Sequence, residues 1–319
     1  MSARVTVLVP SYGRPDALRR CLEALGSQGR LADEIVVGVR AGDAPTAAVV
    51  EQARAAGLPV RQVATEDAGV IAAMQAALDA ATGDIIALTD DDARPRADWI
   101  ERLLAHFAAD ARVGGVGGRD WQPAERWDEP RVGIVQWFGR VIGNHHLGAG
   151  PARDVDVLKG ANCSFRGDLL RAVGFDRRLH GLGAQMHWEL GVCLPLRAAG
   201  WRLVYDPLVA VDHDIAPRLG ADVLHRGGFA DAPLVDAVHN ETVELLEGRG
   251  PLDAAVFMLW ALLLGTREGP GLAQWARALL GGSVTGGRAW RAAVRGRLAG
   301  WRTAHASARA LHVPRAPAA

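Results

Sequence analysis

Apolar positions along the chain fall into two alternating rhythms. Residues 4–11, RVTVLVPS, are a β-rich apolar run, and in the segment DALRRCLEALGSQ that follows, Leu18, Cys21, Leu22 and Leu25 return at helical spacing. The pair of rhythms then repeats. DEIVVGVR reads as a strand and TAAVVEQARAAG as a helix ended by Gly57; LPVRQVAT reads as a strand and AGVIAAMQAALDAATG as a helix stopped at Gly83. DIIALTD is a further strand and ADWIERLLAHFAAD a further helix, followed by RVGGVGG. Strands separated by helices of this length form βαβ units, so the pattern predicts an α/β fold with a mostly parallel sheet covered by helices on both faces. In such sheets ligands sit beyond the carboxyl ends of the strands.

From Arg119 to Val157 the pattern loosens into Trp- and Gly-containing sequence, which predicts loops and short strands. GANCSFRGDLLRAVG then reads as a strand entering a helix, MHWELGVCLPLRAAG as a helix with Pro195 inside it, and WRLVYDPLVAVDHD as a pair of strands. Beyond Leu219 the chain turns helical, and its Ala/Pro/Arg end after Ala304 is expected to fray. Three units are expected: residues 1–118, residues 119–219 and a helical extension over residues 220–319. Within the extension, AAVFMLWALLLG (254–265) is twelve apolar residues, short of the ~20 that a membrane-spanning helix needs. It is either a buried helix or, with the Arg-rich sequence beyond it, part of an interfacial region lying on an anionic membrane.

With 319 residues, 49% of them hydrophobic, the chain can bury a sizeable core. Lys+Arg and Asp+Glu are equal at 36 each, so net charge alone indicates no polyanionic partner. The balance hides an asymmetry, because from Thr266 onward nine arginines face one acid, Glu268. No nucleic-acid-binding module is recognisable and basic residues do not cluster elsewhere, so nucleic acid is not an expected partner. Cys21, Cys163 and Cys193 are scattered, which argues against a disulfide framework or a zinc site. Together with an amino-terminal apolar run, VTVLVP, too short for a signal peptide, this predicts a cytoplasmic protein, held at the inner face of a membrane if the basic helices are interfacial.

The strongest chemical signal is TDDDARP, where an apolar strand stops on Asp90, Asp91 and Asp92. Acids ahead of RADWIERLL would face the positive end of a helix dipole, but capping requires only one of them. Three adjacent carboxylates are better explained by a hard divalent cation, Mg²⁺ or Mn²⁺, that offsets their repulsion. Alternation along an extended chain sends Asp90 and Asp92 to one side and Asp91 to the other, although a turn could bring Asp91 in. A metal held by few protein ligands leaves positions open for phosphate oxygens, and the sequence has neither a Walker-type loop nor a GxGxxG after its first strand. A diphosphate group would then be neutralised chiefly by the metal.

Over roughly residues 4–215 the sequence resembles the family 2 glycosyltransferases, which have the GT-A fold. VTVLVPSYGRPDALRRCLEAL is similar to the family's opening strand and helix, DAGVIAAMQAALDAATGDIIALTDDDARP to its DxD segment, KGANCSFRGDLL to its acceptor-side motif, and HWELGVCLPLRAAGWRLVYDPLVAVDH to the segment with the catalytic acid and a late His. Where the family often carries an Asp after its second strand, Arg40 or Asp43 stands, and Trp188-Glu189 replaces a frequent Glu-Asp pair. The resemblance implies a Rossmann-like nucleotide-binding half, an acceptor half and a mixed, mostly parallel sheet. It places Pro10, Ser11, Tyr12, Arg14, Arg40, Asp67, Gly69, Asp90 and Asp91 on the nucleotide side, with Arg14 against the base. Asp67 could equally cap the following helix, and Gly69 would admit the nucleotide closely by lacking a side chain.

By the same resemblance Asp90, Asp92 and His213 hold Mn²⁺ or Mg²⁺, an imidazole suiting Mn²⁺ better. Glu189 is the candidate general base, since a sugar hydroxyl is a poor nucleophile until a carboxylate accepts its proton. Asn162 and Trp188 are candidate acceptor contacts, the former alternatively an Asx turn and the latter alternatively core. The implied activity is inverting, metal-dependent transfer of a sugar from a nucleotide-diphospho-sugar, with uridine diphosphate as the expected leaving group. The acceptor would be a sugar, polysaccharide or lipid-linked hydroxyl. Two alternatives stay open: a sugar-phosphate nucleotidyltransferase, and a catalytically inactive membrane-associated protein of the same fold.

Overall fold

The computed structural model describes residues 3–122, 128–215 and 229–318. The expected alternation is present: β1 (Val5–Ser11), α1 (Pro15–Gly26), β2 (Glu34–Arg40), α2 (Ala44–Ala55), β3 (Val60–Thr65), α3 (Val70–Ala80) and β4 (Ile85–Thr89). A short β5 (Ala93–Pro95), α4 (Trp99–Ala109) and β6 (Val113–Trp121) follow. The described residues of the loosened region hold three short strands, β7 (Ile134–Val135), β8 (Val141–Ile142) and β9 (Arg153–Val155). Then come β10 (Asn162–Arg166), α5 (Gly167–Val173), α6 (Trp188–Ala198) and β11 (Arg202–His213). Among the described residues beyond β11 are the helices α7 (Asp231–Leu246), α8 (Pro251–Leu263), α9 (Leu272–Leu280) and α10 (Gly286–Ala306).

Among the described residues nine strands make one sheet in the order β3-β2-β1-β4-β10-β6-β11-β5, with β9 on β11. β1 to β4 pair in parallel, while β10 runs antiparallel between β4 and β6. Both expected halves therefore share a sheet, and the division expected at residue 118 falls within β6; the one expected at residue 219 lies outside the described residues. Side chains alternate across the sheet as the pleat demands. Val5, Val7 and Val9 of β1 face the core beneath α1, α2 and α4, whereas Leu8 joins the opposite core with residues of α3, α5 and α6. The chain moves outward from β1 to β3 and then returns to β4, so strand order reverses between β1 and β4. Their carboxyl ends flank the crevice where such sheets place a ligand.

Two expectations need correction. The strand pair read in WRLVYDPLVAVDHD is a single strand, β11, whose pairing with β6 slips between Asp206 and Val211, so the apolar pattern continues through the Asp206-Pro207 irregularity. The carboxyl end, expected to fray, lies against the fold. Pro195 inside α6 cannot donate to the Gly191 carbonyl one turn back, and the Arg309 guanidinium supplies that hydrogen bond at 2.9 Å while also bonding the carbonyls of Val173 and Gly174. Trp201 Nε1 donates to the Pro314 carbonyl, and the Ala316 amide to that of Ala199. Arg309→Ala should therefore cost about 2–4 kcal/mol by stranding part-buried carbonyls. Urea denaturation checks this, and an unchanged midpoint would show that the tail does not contribute to the fold.

Candidate active site

The carboxyl ends of β1 and β4 open into a cleft of about 1470 Å³. Pairing of Leu8 with Leu88 brings the end of β1, Pro10-Ser11, and the following Tyr12 alongside Asp90. On the far side of the sheet the β11–β5 pairing sets His213 opposite Ala93, next to Asp92. Asp90, Asp92 and His213 converge there, each offering a ligand atom within 4.8 Å of the others. Two carboxylates and an imidazole are a donor set for Mn²⁺ or Mg²⁺, and three protein ligands leave positions for phosphate oxygens. Burial and the neighbouring Asp92 raise the Asp90 pKa, which a bound cation would reverse.

Asp91 departs from the nucleotide-side role. Its carboxylate points inward, fully buried, accepting from Ser11 Oγ at 2.7 Å and pairing with Arg14 at 2.6 Å. The Arg14 guanidinium, expected against the base, also reaches Asp92 at 3.0 Å. Arg14 therefore lines the cleft while tying together two of the three crowded acids. His213 is held from both sides, its Nε2 at 3.2 Å from Asp92 and its Nδ1 at 3.3 Å from Asp120. Burial alone would lower its pKa, but those hydrogen bonds and the charge of Asp90 raise it to about 9.

Asp120 and Lys159 were not legible as site residues. Asp120 ends β6, is fully buried, and accepts from Lys159 Nζ at 2.5 Å, which with the His213 hydrogen bond holds its pKa well below the usual range despite burial. It fixes the imidazole from behind, as outer carboxylates commonly do for ligating histidines. Two weak signals existed: an acid at a strand's carboxyl end in GGRDW, and Lys159 as the single lysine of the chain. Glu241 of α7 also lines the cleft, paired at 2.5 Å with the buried Arg297 of α10.

The remaining candidates divide. Tyr12 is half exposed with Arg40 packed over its ring at 5.4 Å, and Arg40 and Asp67 line the same end of the cleft. Asp43 instead caps α2 and accepts from the Gly13 amide at 2.6 Å, so Arg40 is the residue of that pair facing the cleft. Gly69, at φ 107°, does border the cleft, but the room left by its missing side chain is taken by Gln185, whose Oε1 accepts from the Ile71 amide at 3.0 Å. Asn162 does not face the cleft; it is fully buried, accepting from Trp99 Nε1 and donating to the carbonyls of Arg119 and Val209. Trp188 borders the cleft but is only 7% exposed and packs edge-on against Phe175, so little of its ring is open to a sugar.

Glu189 stands in the first turn of α6 and lies in the same cleft as the Asp90–Asp92–His213 cluster. Its carboxylate accepts from the Gly160 amide at 3.0 Å, which orients it. Burial raises its pKa above the ordinary carboxylate range, outweighing the backbone hydrogen bonds that oppose it. A raised pKa brings a carboxylate nearer the basicity of a working proton acceptor.

A mixed sheet with its crevice at the β1/β4 reversal and an acid–histidine cluster at that crevice defines a GT-A type protein. Residues 6–169 match the model of Glycosyl transferase family 2, and the chain belongs to that family. The pre-mycofactocin glycosyltransferase of Mycobacterium tuberculosis is 29% identical over 199 residues, 60% of this chain and 40% of its own. The glucosyl-dolichyl phosphate glucuronosyltransferase of Haloferax volcanii is 31% identical over 144 residues, 42% of this chain and 44% of its own. The chain thus spans under half the length of these relatives. Among solved structures, the mannosyltransferase PcManGT of Pyrobaculum calidifontis, in complex with GDP-Man and Mn²⁺, superimposes with a TM-score of 0.55 at 21% identity, covering 96% of this chain and 87% of that one. TarS of S. aureus (residues 1–349) in complex with UDP-GlcNAc gives 0.55 at 15% identity, covering 95% and 91%. These likenesses extend the shared fold into the C-terminal helices.

Proposed function

We propose that the protein is an inverting, metal-dependent glycosyltransferase that moves a sugar from a nucleotide-diphospho-sugar to an acceptor hydroxyl. The observation that carries this reading is the shared cleft, with Asp90, Asp92 and His213 at one place and a positioned, desolvated Glu189 at another. Tyr12, Arg40 and Asp67 line the end suited to the nucleoside, and uridine diphosphate is the leaving group to try first. Mn²⁺ or Mg²⁺ on the acid–histidine cluster would supply Lewis-acid stabilisation of the departing diphosphate. Glu189 accepts the acceptor's proton as the hydroxyl oxygen bonds to the anomeric carbon and the bond from that carbon to the phosphate oxygen breaks. A single base and no protein nucleophile make the displacement direct, hence inverting. Asp120 and Lys159 keep the imidazole oriented, and Arg14 holds Asp91 and Asp92 against their mutual repulsion.

The acceptor is a sugar, a polysaccharide or a lipid-linked carrier, and the basic C-terminal region supports a site at the cytoplasmic face of a membrane. Among the described residues no helix is long and apolar enough to cross one. Incubating the protein with uridine and guanosine diphosphate sugars and Mn²⁺, without acceptor, tests the reading: slow release of nucleoside diphosphate and free sugar is expected. Silence with every donor would favour an inactive homologue. Pyrophosphate release from a nucleoside triphosphate and a sugar phosphate would identify a nucleotidyltransferase.

A further inference from the structure

Surface helices ordinarily turn charge outward and apolar residues inward. α8 and α9 do the reverse on their outer faces. On α8, Ala254, Phe257, Met258 and Ala261 pack inward, while Leu252, Leu259 and Leu263, one stripe at helical spacing, stand in solvent, Leu259 at 62% exposure. α9 has no buried residue, and Leu272, Leu279 and Leu280 form its outer stripe, Leu280 at 90% exposure. The helix is held from beside by a stacked Trp275–Trp290 pair whose rings are 5.1 Å apart. Six exposed leucines on two adjoining helices exceed the scattered apolar residues of an ordinary surface.

The next helix states what kind of surface covers them. α10 packs on α7 through Ala292, Ala293, Gly296 and Gly300, which allow the two backbones to approach closely. Its opposite face carries Arg288, Arg291, Arg295 and Arg302, all exposed, with no acid in the helix. Arg288 pairs with Asp231, and the other three lie on one stripe over three turns. Of the nine arginines after Thr266, Arg297 and Arg309 turn inward to structural partners, leaving a basic outer face on α10, a helix that itself packs against α9 and α8. Leucines with adjoining arginines match the two layers of an anionic bilayer surface, acyl chains and phosphates, better than they match a uniformly apolar protein partner. The same helices rim the cleft: Trp260 and Leu264 from the end of α8, and Gln274 and Arg277 from α9, line it.

We infer that α8, α9 and α10 form a docking face for an anionic lipid bilayer, with the leucine stripes inserted at the acyl boundary and Arg291, Arg295 and Arg302 against the phosphates. This deepens the proposed function by setting the cleft's rim at the membrane, yet docking itself does not depend on what the cleft catalyses. The test is sedimentation of the full chain with vesicles of phosphatidylglycerol and phosphatidylcholine, against vesicles of phosphatidylcholine alone. Binding is expected to the anionic vesicles, to weaken as salt rises, and to fall about tenfold or more in Leu259→Ser/Leu263→Ser and in Arg291→Ser/Arg295→Ser/Arg302→Ser. Both variants alter exposed residues and should keep the wild-type donor hydrolysis rate in solution.

No binding by the wild type, or binding indifferent to lipid charge and to both variants, overturns the inference. So does a concentration-dependent dimer in sedimentation equilibrium that the leucine variant abolishes, because the face then belongs to a second copy. Hydrolysis without vesicle binding refutes docking alone; vesicle binding without hydrolysis of any donor supports docking and refutes the catalytic reading.

Discussion

Asp92→Ala is expected to remove metal-supported binding of the nucleoside diphosphate and to lower transfer about a thousandfold, the equivalent of ~4 kcal/mol of charge stabilisation. The expectation follows from position rather than from charge alone. Asp92 lies between Arg14 at 3.0 Å and His213 at 3.2 Å, so removing its carboxylate takes a ligand from the Asp90–His213 pair and frees the guanidinium to reach toward Asp90. Calorimetric titration of uridine diphosphate with and without Mn²⁺ reads the effect. Wild-type affinity should rise with the ion and the variant's should not. Asp91→Asn offers the internal contrast, because Asp91 faces Ser11 and Arg14 and its loss should reduce stability more than ion-dependent affinity.

Glu189→Gln is expected to retain donor binding and to lose transfer by about 10²–10⁴-fold, the range of a general base. The amide keeps the shape of the side chain and its acceptance from the Gly160 amide, but it cannot take a proton. The pH profile follows from the sign of the shift. Burial raises the Glu189 pKa, and the working form is the carboxylate, so activity falls as pH is lowered through that raised value. The acid limb of the wild-type profile should lie above the ordinary carboxylate range, and the variant's residual rate should lack it. Near-normal turnover in Glu189→Gln would place the base elsewhere.

Much of the donor side was legible because its signals are local. A strand's apolar run ending in acids and the two-residue alternation that separates Asp91 from Asp90 and Asp92 can be read without knowing which strands pair. The late histidine came only through resemblance to a family. Its partner Asp120 depends on β6 lying beside β11, a pairing between segments some ninety residues apart that periodicity does not encode. Asn162 misled for a similar reason: a short polar residue near a turn can serve a ligand or a core, and the indole of Trp99 decides it. The tail misled through composition. An Ala/Pro/Arg end reads as frayed until Pro195 is seen to leave the Gly191 carbonyl for Arg309 to satisfy. Gly191 also makes room for Glu244, a fully buried acid whose pKa burial raises well above its ordinary value.

Direct displacement by one base fixes the anomeric configuration of the product, which reports on it most directly. Proton NMR can follow the free sugar released from an α-linked nucleotide donor, with Mg²⁺ replacing Mn²⁺ to avoid paramagnetic broadening, before mutarotation scrambles the signal. The β-anomer should appear first. Initial release of the α-anomer would show retention and contradict a mechanism with Glu189 as its single base.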